Sequence, residues 1–181
     1  MRYISSLLFA LLLSACSSSP YTYHVEPTPL KAEHTQYRLD VAVSLELGHG
    51  AIVGDESFAN QEELAKQFRT FIEKHMAEKN ILAKQSDDAP TVNITVDYLR
   101  IFNYGGKALN KPQVSHSVVI SENETKLASF TSSKYTTKYA YFEDAAVNIE
   151  IAAFLWDSED EPRDIELISK LIVEDLANIG S

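Results

Sequence analysis

The sequence predicts an α+β domain: a mostly antiparallel sheet of about four to five strands with helices packed on one face. Three observations predict it. Several stretches alternate apolar and polar residues with a period of two, as strands with one covered face do. Others repeat apolar residues at helical spacing. The order strand, helix, strands, helices groups the strands instead of alternating them regularly with helices, which is the α+β arrangement.

The first strand is the clearest element. Tyr37, Leu39, Val41, Val43, Leu45 and Leu47 alternate with Arg38, Asp40, Ala42, Ser44 and Glu46, which sends one face to the core. After a loop over 48–59, Asn60 and Glu63 have the spacing of a capping box. Leu64, Phe68, Phe71, Ile72 and Met76 then form the apolar stripe of a helix that ends near Asn80. Val92, Ile94, Val96 and Tyr98 mark a second strand running towards Tyr104, and a loop over 105–112 leads to a third over 113–121. Glu122, Asn123 and Glu124 read as a hairpin turn into a fourth strand over 125–133, with a ragged fifth over 134–141. Residues 145–156 fit two patterns. Val147 to Ile151 alternates like a strand, yet Val147, Ile151, Phe154 and Leu155 share a helix face, and we read a helix. Past a break at 157–161, Pro162 suits a first helical turn. Ile165, Ile168, Ile172, Leu176 and Ile179 make a final amphipathic helix with Gly180 just beyond it.

Residues 37–181 are the size of one domain and long enough to bury a real core, and they contain no internal repeat. What precedes them has a different character. Met1, Arg2 and Tyr3 form a short positive region, and Ile4 to Leu13 form an apolar one too short to span a bilayer, since a span needs about 20 residues. Small residues Ser14 and Ala15 lead into Cys16, the single cysteine of the chain. With no second cysteine there is no intramolecular disulfide, and a spare thiol in an oxidising compartment needs a use.

The run Leu13-Ser14-Ala15-Cys16 resembles the lipobox of bacterial lipoproteins. The resemblance implies that residues 1–15 are a signal peptide removed by the lipoprotein signal peptidase. It also implies that Cys16 carries acyl chains, palmitate among them, and that the lipid bilayer is a partner of the mature protein through them. Two chains suffice for stable anchoring. Ser17 in the sorting position resembles outer-membrane lipoproteins, because retention in the inner membrane typically uses Asp there, so the expected location is the outer membrane with the domain in the periplasm. Residues 16–36, with Pro20, Pro27 and Pro29 among polar residues, read as a flexible tether of reach near ~25 Å. Cys16→Ser is expected to abolish acylation and leave the precursor at full length, which mobility on a gel and acyl labelling check.

No catalytic motif emerges. Gly48, His49, Gly50 and Gly54 have the wrong spacing for a dinucleotide-binding turn, and Gly105, Gly106 and Lys107 lack the spacing and hydroxyl of a phosphate loop. His24, His34, His49, His75 and His116 form no pair at metal-binding spacing; His116 lies in phase with Val114, Val118 and Ile120, and His75 beside the helix stripe, so both read as core histidines. The acidic run Asp157, Glu159, Asp160, Glu161 lacks the glycine and spaced ligands of a calcium loop. No cofactor or metal is therefore expected, and the Asn93 and Asn123 sequons have no role in a bacterial lipoprotein.

Charge is asymmetric in a chain of formal net charge −10. From Glu143 to Ser181 there are eleven acidic residues and two basic ones, whereas from Arg100 to Phe142 six basic residues face two acidic ones. Such a split steers partners, and the overall acidity disfavours nucleic acid. Tyr135, Tyr139, Tyr141 and Phe142, set among serines, threonines and lysines, form the candidate binding surface, because tyrosine offers large contact area at small entropic cost. In outline the domain resembles small auxiliary or assembly lipoproteins of the envelope, such as those of curli secretion and transporter-associated systems. The function expected is a non-catalytic binding or assembly module with an envelope protein partner. A small envelope hydrolase and a purely structural spacer are the alternatives.

Overall fold

The computed structural model describes residues 36–52, 55–84, 88–103 and 105–179. Cys16, Ser17, the tether and Gly180 lie outside them. In chain order the elements are β1 (Arg38–Leu47), α1 (Gln61–Glu78), β2 (Thr91–Arg100), β3 (Gln113–Glu122), β4 (Thr125–Thr136), α2 (Tyr141–Ala152) and α3 (Glu161–Ala177). The strands lie side by side in sequence order. β1 and β2 are parallel and therefore need the long crossover that α1 supplies; β2, β3 and β4 are antiparallel neighbours. The α+β class is as the sequence predicts.

Alternation decides which face is covered. Leu39 and Val43 of β1, Val92, Ile94, Val96 and Tyr98 of β2, Val114, Val118 and Ile120 of β3, and Ala128 and Phe130 of β4 form one buried layer. It packs with Leu64, Phe68, Ile72 and Met76 of α1 and Ile165, Ile168, Ile172, Val173 and Leu176 of α3. The opposite face carries Ser44, Asp97, Ser117 and Thr131 and faces solvent. The ends are set locally. Asn60 Oδ1 accepts from the amides of Glu62 and Glu63 at 2.9 and 3.1 Å while Glu63 Oε2 accepts from the Asn60 amide at 2.9 Å, completing the capping box. Asn80 follows the helix in the left-handed region at φ 59°. Asn123 and Glu124 both have positive φ, 47° and 67°, the signature of a two-residue hairpin turn whose twist suits the flanking strands.

Two expectations are corrected. β2 stops at Arg100 instead of reaching Tyr104, because Arg100 is engaged in a buried ion pair and Phe102 beyond it turns into a second apolar cluster. There is no fifth strand over 134–141. β4 runs on to Thr136, and Thr137 and Tyr139 are then drawn off the sheet edge by hydrogen bonds to Asp164 on α3. The ambiguous stretch is helical, in α2 from Tyr141 to Ala152, but the helix stops short of 156: Phe154 turns into the left-handed region at φ 60°, so Phe154 and Leu155 leave the face of Val147 and Ile151 and are exposed.

Candidate functional site

Strand register defines two ends of the sheet. Arg38, Thr91, Ser121 and Lys126 are cross-strand neighbours at the end where β1 begins; Leu47, Arg100, Gln113 and Thr136 close the other. Ten-residue strands separate the two by roughly 30 Å. At the far end the second cluster of Phe58, Phe102, Leu109, Val147 and Trp156 sits beneath α2.

Polar contacts lock this end in place. The Arg100 guanidinium, 3% exposed, donates from Nε to Glu161 Oε1 at 2.6 Å and from Nη2 to Glu161 Oε2 at 2.9 Å and to the Ala59 carbonyl at 2.7 Å. The Tyr98 hydroxyl donates to the same carboxylate at 3.2 Å. Burial pushes the Glu161 carboxyl above its ordinary value even though Arg100 and Tyr98 pull it down. One helical turn on, Asp164 accepts from Thr137 Oγ1 at 2.6 Å, Tyr139 Oη at 2.8 Å and Trp156 Nε1 at 3.3 Å. Its carboxyl too is raised, burial outweighing those three donors. Burial, then the Asp164 charge, likewise raises the Tyr139 phenol. Arg163 stacks 4.7 Å over the Trp156 ring and pairs with Glu143, Glu150 and Asp160. Lys111 Nζ meets Asp144 at 2.6 Å.

α2 buries Val147, with Ile151 partly covered beside it, and its charged residues Glu143, Asp144 and Glu150 flank that side, about half exposed to partly covered, paired with Arg163 and Lys111. At 100° per residue the outward arc holds Tyr141, Phe142, Ala145, Ala146, Asn148, Ile149, Ala152 and Ala153, with no charge at all. Tyr141 and Phe142 are each 86% exposed, Ile149 69%, and Phe154 and Leu155 just past the helix 58% and 65%. Taking a large side chain at ~150–200 Å², these five leave roughly 550–700 Å² of mostly apolar surface bare. The other large exposed hydrophobics of the described residues, Leu47 and Ile52, belong to the same end: Leu47 closes β1, and Ile52 lies against Gly106 of the β2–β3 loop. A shallow groove between α2 and the end of β4, lined by Lys111, Thr137, Lys138, Tyr141 and Ala145, borders the patch.

The structure divides the four aromatic residues singled out in the sequence. Tyr135 is 6% exposed in the core, its hydroxyl 2.8 Å from His116 Nδ1. Tyr139 is half-buried on Asp164. Tyr141 and Phe142 stand in solvent, edge to face at 5.6 Å. Sequence reasoning missed Ile149, Phe154 and Leu155 as surface residues. The available signal was a short helix apolar on more than one face, which one layer of packing cannot cover. His116 is buried as expected, and burial lowers its pKa to about 4; His49 is exposed in the loop after β1. Among the described residues no three His, Cys, Asp or Glu side chains gather in an arrangement able to hold a metal, and no helix is long and apolar enough to cross a membrane.

No family model matches the chain, and no curated protein does. Solved structures similar to it include a minor lipoprotein from Acinetobacter baumannii, with TM-score 0.40, 17% identity, and 80% of this chain and 93% of that one covered. A PelC dodecamer from Paraburkholderia phytofirmans has TM-score 0.34 and 12% identity, with 76% of this chain and 99% of that one covered. A DUF4136 family protein from Bacteroides thetaiotaomicron has TM-score 0.33 and 12% identity over 77% and 99% of the two chains.

Proposed function

We propose that the chain is an outer-membrane-anchored envelope lipoprotein whose periplasmic domain docks an envelope component through the outward face of α2 and catalyses no reaction itself. The anchor is Cys16, by the likeness of Leu13-Ser14-Ala15-Cys16 to the lipobox. The observation that carries the docking reading is the charge-free apolar arc of α2, which together with Phe154 and Leu155 just beyond the helix leaves bare an area at or above the top of the ~300–600 Å² patch of an ordinary monomer. Its position supports the same reading. It lies at the end of the sheet away from the start of β1, where a lipid-anchored domain offers it to other molecules.

Phe142→Glu and Ile149→Glu together, in the full-length chain, are expected to cut crosslinked capture of envelope components in intact cells at least tenfold, as loss of interface aromatics commonly does. The melting temperature should stay within a few degrees, because both side chains are exposed. Tyr135→Ala should do the reverse, lowering the melting temperature by opening a core cavity while leaving capture per folded molecule unchanged. Undiminished capture with a charged α2 face refutes the docking reading.

A further inference from the structure

We propose that the occupant of the α2 face is the α2 of a second copy of this chain, in a twofold-symmetric dimer. This rests on the docking reading above and names its partner.

Charge is the first argument. Glu143, Asp144 and Glu150 lie off the outward arc, on its flanks, and pair with Arg163 and Lys111, so two outward arcs meet without like charges opposing one another and without stranding an ion. A partner selected by charge finds nothing on this face to read.

Shape is the second. Large exposed side chains stand at the two ends of the helix, Tyr141 and Phe142 in its first turn and Phe154 and Leu155 just beyond its last, with alanines around Ile149 between them. A twofold axis near residue 148 lays the helices antiparallel and brings the Tyr141 and Phe142 end of each copy to the Phe154 and Leu155 end of the other. The central alanines admit the ~8–10 Å approach of packed helices. Antiparallel dipoles add to the match, and such an interface is self-complementary as twofold symmetry requires.

Area is the third. Two faces of roughly 550–700 Å² bury about 1,100–1,400 Å², at the lower end of the ~1,200–2,000 Å² of specific stable interfaces before the alanines between them are added. A lipid surface fits less well. Helices that lie in a membrane interface carry Lys and Arg on the polar face, and the polar face of α2 carries three carboxylates and no cation.

Single cysteines at Asn148 and Ile149, the two outward positions beside the axis where a symmetric disulfide can close, are introduced into the full-length chain in intact cells. Ser129→Cys on the open face of the sheet serves as the control. Oxidation is expected to give a disulfide-linked species of twice the chain mass from Asn148→Cys and Ile149→Cys and none from Ser129→Cys, and adding Phe142→Glu should cut its yield at least tenfold. Should neither ridge cysteine crosslink while Phe142→Glu with Ile149→Glu still abolishes capture of other components, the dimer is overturned and the docking reading stands. If capture is unchanged as well, both fall. Membrane protection of a monomeric Ile149→Cys chain from a water-soluble maleimide also overturns the dimer and assigns the face to lipid.

Discussion

Replacing Glu161 with Ala is expected to destabilise the fold by about 3–5 kcal/mol, a large share of the ~5–15 kcal/mol a domain of this kind holds. The change strands the Arg100 guanidinium in a site where it is 3% exposed, with the Ala59 carbonyl its remaining hydrogen-bond acceptor in the site, and takes the acceptor from the Tyr98 hydroxyl. The loss does not mean that the ion pair is itself a net source of stability. Burial raises the Glu161 carboxyl more than Arg100 lowers it, so desolvation outweighs what pairing returns. Arg100→Met together with Glu161→Leu is therefore expected to recover most or all of the loss, as apolar replacement of whole buried pairs often does. Urea unfolding of the three chains checks this. A single substitution costing under about 1 kcal/mol, or a double no better than the single, contradicts the reading. The pair joins the end of β2 to the first turn of α3, so its loss should also loosen the end of the domain on which α2 rests.

Acidification is expected to remove about 3 kcal/mol through His116 alone. Its imidazole is 3% exposed, Nδ1 is bonded to the Tyr135 hydroxyl, and Nε2 is buried with no hydrogen-bond partner among the described residues. A proton added there would carry charge into apolar surroundings, which lowers its folded pKa from 6.5 to about 4. Because the unfolded chain takes up that proton first, the contribution is fully present above pH 6.5. It is lost as pH falls from 6.5 to about 4, and a shift of this size corresponds to about 3 kcal/mol. Glu161 and Asp164 act with the opposite sign: burial raises both carboxyls, so the folded state gains relative stability as they protonate. The total pH profile mixes these effects, and a comparison separates them. His116→Gln keeps a hydrogen-bonding group beside Tyr135 but cannot charge. Between pH 7 and pH 4 the wild-type chain should lose about 3 kcal/mol more unfolding free energy than this variant, and parallel profiles would remove His116 as the cause.

Local sequence determined much of this protein. Period-two alternation put Val92, Ile94, Val96 and Tyr98 on one face of β2, helical spacing put Leu64, Phe68, Ile72 and Met76 on one stripe of α1, and Asn60 with Glu63 started that helix where the capping box requires. These are short-range matters of backbone hydrogen bonding and side-chain phase, and a window of a few residues contains all the groups involved. The tertiary structure alone decided which side of each element is covered. Tyr135 and Tyr141 sit six positions apart in one tyrosine-rich stretch, yet the first is buried in the core against His116 while the second is 86% exposed among the described residues. Glu161 ends a run that reads as a solvated acidic turn, but Arg100, 61 residues earlier, holds it in the interior. The charges on the flanks of α2 are paired because Lys111 and Arg163 come from outside that helix. Burial depends on groups distant in sequence that the chain brings together only on folding, so the exposed apolar face of α2 becomes visible only once α3 and the second cluster have claimed its other side.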